Sequence, residues 1–221
     1  MATTRRAGAY QAWQEALQIL VGSVHELEEW QDQRYRFAHR VGELLVSELP
    51  DQAELASPVL YGVHLTTTGL AYVGQTEQAG RRLRDLPIGE SHHLANTIPP
   101  EIWERVVVVQ WPSILDSLPQ SEKERAAALG PRICGLLLEH QTQLRTQPPL
   151  NSRRRHRDGR WRRRQLSDSR SLGAVHADDL PLLQERVREA WDELAAFEAP
   201  IGGLPVLATA FGRVVFPSAL L

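Results

Sequence analysis

The sequence predicts a mixed α/β fold of the α+β type, in which a small antiparallel three-stranded sheet is flanked by helices. Helical patterns cover residues 8–49, 121–145 and 180–197. Two short β-rich segments flank the turn Thr-Thr-Thr-Gly at 66–69, as in a β-hairpin. Four consecutive valines at 106–109 indicate a buried third strand. Helices and strands thus alternate irregularly around one small sheet.

Composition excludes several classes of protein. The chain has 221 residues, which is enough to bury a core, and 42% of them are hydrophobic, which is too many for a disordered protein. It has no apolar run of 18 residues, and no apolar segment follows its N-terminal arginines, so we expect neither a membrane span nor a secretory signal. The single cysteine, Cys134, excludes an internal disulfide and a cysteine-based zinc cluster. These features favour a cytoplasmic protein.

Residues 1–56 are predicted to form an N-terminal helical extension. Apolar residues recur every three or four positions, with a break at Gly22-Ser23. Ser23 with Glu26 makes a capping box for the second helix, which ends near Pro50. Such helical hairpins commonly serve as scaffold or as a dimer surface.

Residues 57–151 are predicted to form the core domain. Its hairpin consists of strands 59–65 and 70–74, and a short basic helix over 77–86 follows and stops at Pro87. The third strand is predicted over 105–111.

One long helix closes the core domain in this prediction. Ser121 and Glu124 form a second capping box, and the helix runs to about Arg145 before Pro148-Pro149 ends it.

The remaining chain divides into two parts. Residues 152–176 lack an apolar period and are predicted to be a mobile loop. Residues 177–221 form a C-terminal extension, with a helix over 180–197 and a terminal hairpin or extended segment over 200–221.

The formal net charge of −2 is a cancellation of opposite charges along the chain. Residues 151–170 hold nine arginines and two aspartates, a net charge of +7, which leaves −9 for the rest of the chain. The near-neutral total therefore does not argue against a polyanionic partner.

Three segments together resemble the GIY-YIG nuclease family: VLYGVHLTTTGLAYVGQT, then EQAGRRLRDL, then LLLEHQTQLRTQPPLN. The resemblance covers residues 58–151. The second family signature falls on Tyr72-Val73-Gly74 and the first on Gly62-Val63-His64. The arginine of the following helix matches Arg82, with Arg81 and Arg84 as alternatives, the acidic metal ligand matches Glu139 and the asparagine matches Asn151.

The resemblance implies a Mg-dependent endonuclease that hydrolyses phosphodiester bonds in DNA, closer to the stand-alone restriction or defence enzymes than to repair or homing nucleases. It implies one Mg (or Mn) ion per active site, held by Glu139, because Mg typically takes one or two protein carboxylates. Arg82 would face phosphate oxygens, and Asn151 would anchor the loop that follows the helix of Glu139.

The general base that would activate the attacking water could be His64 or Tyr72, because His64 occupies the position where the family usually has a tyrosine. Neutral histidine is the more available base at pH 7, so we expect His64 to act as base and Tyr72 to orient water or phosphate. Tyr61 lies three residues before His64 on the same strand, and we expect it on the opposite face, away from the site. His93 or His92 would be a further phosphate or proton-transfer group.

The arginine-rich stretch begins beside Asn151 and is expected to contact phosphates, with Trp161 stacking on a base or sugar. The expected nucleic-acid-binding residues are Arg81, Arg84, Arg153, Arg154, Arg155, Arg157, Arg160, Trp161, Arg162, Arg163 and Arg164. The expected partner is DNA, double-stranded, with no membrane involved, and a symmetric duplex target favours a homodimer. The alternatives are a non-catalytic nucleic-acid-binding protein on a degenerate nuclease scaffold and an RNA nuclease.

Overall fold

An antiparallel sheet with helices on both faces forms the centre of the computed structural model. The structure describes residues 2–50, 52–89, 93–155, 157–158 and 160–221, and within these the side chains of 2–7, 153–155 and 161 are not described. The helices are α1 (Ala2–Leu20), α2 (Val24–Val46), α3 (Ala79–Ile88), α4 (Leu94–Thr97), α5 (Trp111–Asp116), α6 (Gln120–Leu129), α7 (Pro131–Thr146), α8 (Leu172–Val175) and α9 (Pro181–Ala196). The strands are β1 (Val59–Leu65), β2 (Gly69–Thr76), β3 (Trp103–Val109), β4 (Arg153–Arg155), β5 (Trp161–Arg163), β6 (Val206–Thr209) and β7 (Gly212–Val215). Within these described helices, none combines the length and the apolar character that a membrane span requires.

The main sheet has five strands in the order β2-β1-β3-β7-β6. The predicted mixture of helices with an antiparallel sheet is confirmed, but the prediction of three strands is wrong. The C-terminal hairpin pairs with β3, from Val106 opposite Val215 to Val109 opposite Gly212. Because β3 is buried, the backbone N–H and C=O groups on its side away from β1 need hydrogen-bond partners, and β7 supplies them.

Alternation along β1 decides which side chains face which set of helices. Tyr61 and Val63 join the core formed with α2 and α3, whereas Leu60 joins the core formed with α7 and α9. Successive strand residues point to opposite faces, so this pattern assigns Tyr61 and His64 to different sides of the sheet.

Helix boundaries match the sequence prediction in part. The break after α1 is confirmed, and the Ser23 hydroxyl accepts a hydrogen bond from the Glu26 amide at 3.2 Å. The single helix predicted over 121–145 is wrong: Gly130, with φ +78°, and Pro131 divide it into α6 and α7. Helix α6 begins after Pro119 with no side-chain cap, so the predicted Ser121 cap is absent from it.

Pro87 does not end α3, which continues to Ile88 and stops at Gly89 in the left-handed conformation.

A buried arginine ties α2 to the sheet. Arg213 on β7 donates to the carbonyl oxygens of Leu44 and Ser47, the latter at 2.6 Å, and to Oε1 of Gln52 at 2.8 Å. Burial lowers the pKa of its guanidinium to about 10. Cationic donors are favourable at a helix C-terminus, so this contact fixes the end of α2 on the sheet.

The stretch over 152–176, predicted to be a mobile loop, contains short regular elements in its described part. β4 and β5 pair as a separate two-stranded sheet, a 3₁₀ turn follows at Leu166–Asp168, and α8 packs against α7.

Candidate active site

Two tyrosines meet on one face of the β1–β2 hairpin. Tyr61 lies opposite Gly74, and Val63 lies opposite Tyr72, so the side chains of Tyr61, Val63 and Tyr72 point to the same face. The two phenol rings are 6.1 Å apart between centroids, and the Tyr72 hydroxyl is hydrogen-bonded to that of Tyr61. The hairpin therefore presents a pair of adjacent phenols.

Gly74 leaves the space that this pair occupies. A Cβ atom at position 74 would lie 2.7 Å from both Cζ and Oη of Tyr61 and 2.9 Å from Cε1 of Tyr72. Real Cβ contacts essentially never come this close. Glycine at this position is thus a requirement of the tyrosine pair.

Arg82 reaches the pair from α3. Its Nε donates to Oη of Tyr61 at 3.4 Å. Burial raises the pKa of Tyr61, while the charge and hydrogen bond of Arg82 and the hydrogen bond from Tyr72 oppose that rise. Burial also raises the pKa of Tyr72, and the neighbouring Tyr61 adds to the increase. The Tyr61 oxygen thus accepts from both Arg82 and Tyr72.

Glu139 approaches from α7, which lies against the edge strand β2. Its Oε1 accepts a hydrogen bond from Nε2 of Gln143 at 2.7 Å. Burial raises the pKa of the Glu139 carboxyl to about 7, and the Gln143 hydrogen bond and the charges of Arg164 and Arg82 offset only part of this. The charge of Glu139 adds to the raised pKa of both tyrosines, so the carboxylate lies near the tyrosine pair.

Asn151 fastens the turn after α7 to β2. Its Oδ1 accepts from the Val73 amide at 2.8 Å and its Nδ2 donates to the Val73 carbonyl at 2.9 Å. The Leu150 amide adds a bond to the Ala71 carbonyl at 3.1 Å. The anchoring expected of Asn151 is confirmed, because these bonds hold the end of α7 beside the hairpin.

The structure separates His64 from this cluster. Its ring lies 6.5 Å from that of Trp191 on α9, on the opposite face of the sheet from Tyr61 and Tyr72. The expectation that His64 stands at the base position beside Tyr72 is therefore not met. The prediction that Tyr61 points away from the site is wrong. The two residues do face opposite sides, but it is Tyr61 that shares the side of Tyr72.

Burial of His64 instead makes the stability of the fold sensitive to acid. Burial lowers its pKa to about 4, the charge of Arg105 adds to this, and that of Glu104 opposes it. The unfolded chain binds the proton near pH 6.5 and the folded chain does not, so stability falls as the pH drops from 6.5 towards 4. Urea unfolding at each pH measures this. From pH 7 to pH 5, the free energy of unfolding should fall by about 2 kcal/mol more for the wild type than for His64→Leu. Equal losses would contradict this account of His64.

Other predicted residues lie apart from the cluster or serve the fold. His93 is exposed and precedes α4, and His92 lies outside the described residues. Arg84 makes ion pairs with Glu43 and Glu54, at 3.1 and 2.6 Å, which tie α3 to its surroundings. Arg81 is exposed on the same helix.

The arginines of the β4–β5 region flank the site. The Arg164 amide donates to the Ser152 carbonyl at 2.7 Å, and Nη2 of Arg163 donates to Oε1 of Gln147, also at 2.7 Å. Arg162 pairs with Asp158, and Arg157 and Arg160 are exposed. For Arg153, Arg154, Arg155 and Trp161 the backbone is described and the side chains are not.

Within the described part of the chain, no three His, Cys, Asp or Glu side chains group closely enough to hold a metal ion. Comparisons with family models, with curated proteins and with solved structures each return no match.

Proposed function

We propose that the protein is a Mg-dependent endonuclease that hydrolyses phosphodiester bonds in DNA. The observation that carries this proposal is the meeting of Tyr61, Tyr72, Arg82 and Glu139 around one hairpin. Together they offer a tyrosine whose phenolate can take a proton, a cation for phosphate oxygens and a carboxylate for a metal. Phosphodiester hydrolysis needs these three elements together.

Tyr61, and not His64, is the residue to which we assign the base. A phenol with an ordinary pKa near 10 is a poor base at pH 7 unless donors stabilise its anion. Tyr61 receives such donors from Arg82 and Tyr72, and they oppose the rise in its pKa that burial causes. In its phenolate form, after its own proton has been lost to solvent, Tyr61 deprotonates the attacking water, and the Tyr72 hydroxyl orients that water or the phosphate.

Arg82 acts on the phosphate as well as on Tyr61. A guanidinium has five N–H donors in a rigid fork, so one edge can serve Tyr61 while another faces phosphate oxygens. Removal of one such preorganised donor typically costs about 10²–10³ in rate.

Glu139 is the residue that would hold the metal ion, one per active site, as Mg or Mn. A single carboxylate suits Mg, which keeps several waters, and a cation beside this buried carboxylate would offset its cost of desolvation. When bound, a divalent ion polarises the phosphate and stabilises the leaving oxygen. Asn151 keeps Glu139 in register with the hairpin.

The non-catalytic alternative rested on the loss of the first-signature tyrosine. Tyr61 supplies a phenol beside Tyr72, which removes that motive, and we do not favour the alternative.

The test is nicking of supercoiled plasmid in Mg, with EDTA and Glu139→Ala as controls. The proposal expects open-circular product that requires both the metal and Glu139. Product that persists in Glu139→Ala would point to a contaminating nuclease. No product from the wild type with Mg or Mn, on modified or unmodified DNA, would overturn the proposal.

The Glu139 carboxyl also predicts how the metal requirement changes with pH. Because its pKa is raised to about 7, protons compete with the metal below that value. The Mg concentration that gives half-maximal nicking should rise about fivefold from pH 7 to pH 6 and change little from pH 8 to pH 9. Nicking rates across a Mg series at each pH measure this, and a requirement that does not rise on acidification would contradict it.

A further inference from the structure

The β4–β5 hairpin forms a small two-stranded ribbon apart from the main sheet. Its base is fixed to the candidate site, because Arg164 bonds to Ser152 through its amide and Arg163 bonds to Gln147 through its guanidinium. Ser152 follows Asn151 directly, and the charge of Arg164 reaches Glu139. The ribbon thus starts at the site and leads away from it.

The composition of this ribbon opposes its own pairing. Residues 153–164 hold eight arginines and one aspartate. In the backbone register, Arg153 lies opposite Arg163 and Arg154 opposite Arg162. Like charges directly opposite each other destabilise an antiparallel pair, and an isolated two-stranded hairpin is marginal in water. A polyanion that neutralises these charges would therefore stabilise the ribbon.

The dimensions of the ribbon suit one kind of polyanion. Strands of three residues span about 10 Å, and the major groove of B-DNA is about 12 Å wide and 8.5 Å deep, enough to admit a two-stranded β-ribbon. Phosphates line both sides of that groove, and Arg157, Arg160 and Arg162 are exposed towards solvent.

We infer that the β4–β5 ribbon lies in the major groove of duplex DNA next to the phosphate held at the Tyr61–Glu139 site. This inference rests on the proposed function and extends it, since it makes the substrate a duplex and names the element that recognises it. Binding through the ribbon requires no metal and no cleavage, so it can be measured separately.

The experiment measures binding of a labelled 20-base-pair DNA duplex by fluorescence anisotropy in EDTA. The ribbon variant is Arg157→Gln, Arg160→Gln and Arg162→Gln together. The matched control is Arg40→Gln, Arg125→Gln and Arg186→Gln, which are exposed arginines on α2, α6 and α9. Each set removes three positive charges and includes one ion-paired arginine, Arg162 or Arg186.

The ribbon variant should bind duplex DNA about tenfold to hundredfold more weakly at 0.1 M salt, and its log–log salt slope should flatten by about 2.7 for three lost phosphate contacts. The control should stay within a fewfold of the wild type. Duplex RNA of the same sequence should bind more weakly than duplex DNA, because the major groove of A-form RNA is deep and narrow. The single strand should also bind more weakly than the duplex.

Several results would overturn the inference. An unchanged affinity and salt slope in the ribbon variant would show that the ribbon does not contact the DNA. An equal loss of affinity in the control would show that net charge alone explains the effect. Equal or stronger binding of duplex RNA or of the single strand would exclude the DNA groove. If the wild type nicks plasmid while the ribbon variant still binds normally, the inference fails and the proposed function stands. If ribbon-dependent duplex binding occurs without nicking under any metal, the proposed function fails and the inference stands.

Discussion

Tyr61→Phe should reduce the rate of plasmid nicking by about 10²–10⁴, the usual contribution of a general base. The substitution removes only the hydroxyl oxygen that accepts from Arg82 and Tyr72. The ring remains buried in the core with α2 and α3, so we expect the fold to persist. Single-turnover nicking at saturating Mg gives the rate, and the far-UV circular dichroism melt checks the fold.

His64→Leu is the matched comparison for this experiment, because His64 lies on the same strand but on the opposite face. We expect its nicking rate at pH 8 to stay within a fewfold of the wild type. The reverse outcome, with full activity in Tyr61→Phe and none in a folded His64→Leu, would restore His64 as the base.

Gly74→Ala should have the second large effect. The new methyl group would lie 2.7 Å from Cζ and Oη of Tyr61, so the phenol must move by a large part of an ångström. A displacement of about 1 Å at a reacting group can cost about 10² in rate, and overpacking of a core typically costs about 1–3 kcal/mol of stability. Nicking rates and urea unfolding together measure both losses.

The variant Gly62→Ala separates the loss of nicking rate from the loss of stability. A Cβ atom at position 62 would lie 2.5 Å from Cη2 of Trp191, on the other face of the hairpin. We expect a similar loss of stability but a nicking rate, at a temperature where both variants are folded, within about tenfold of the wild type. If both alanine variants lose activity in proportion to stability alone, Gly74 has no special relation to the tyrosine pair.

The family resemblance singled out Arg82, Glu139 and Asn151, and the local pattern predicted the elements that carry them. The hairpin, Arg82 on the next helix, Glu139 on a later helix and Asn151 after it all lie in elements that short-range periodicity identifies. Asn151 even has the anchoring role expected of it, because an asparagine after a helix end can satisfy backbone groups of a neighbouring strand.

The sequence-based expectation that His64, and not Tyr61, lies on the site face was wrong because it did not consider the register of the β1–β2 pair. Opposite faces were assigned correctly to the two residues, but the face of the site depends on which residue lies opposite Tyr72. Aligning the predicted strands with Leu65 opposite Leu70 already places Val63 opposite Tyr72. That register, which the structure shows for this pair, puts Tyr61 on the site face. The signal was therefore present in the lengths of the strands and the turn.

Local sequence patterns could not predict contacts between residues far apart in the chain. The pairing of β7 with β3 joins residues about a hundred positions apart, and the buried Arg213 contacts carbonyls that no local pattern singles out. The division of the long helix at Gly130-Pro131 was readable from the sequence, since glycine followed by proline is a common helix boundary.

The amide of Asn151 has a consequence for association between molecules. β2 is an edge strand, and edge strands attract other strands through their unpaired N–H and C=O groups. Asn151 occupies both groups of Val73, and the Leu150 amide occupies the carbonyl of Ala71. The turn after α7 therefore covers this edge at Ala71 and Val73 and leaves those backbone groups unavailable to a strand of another molecule.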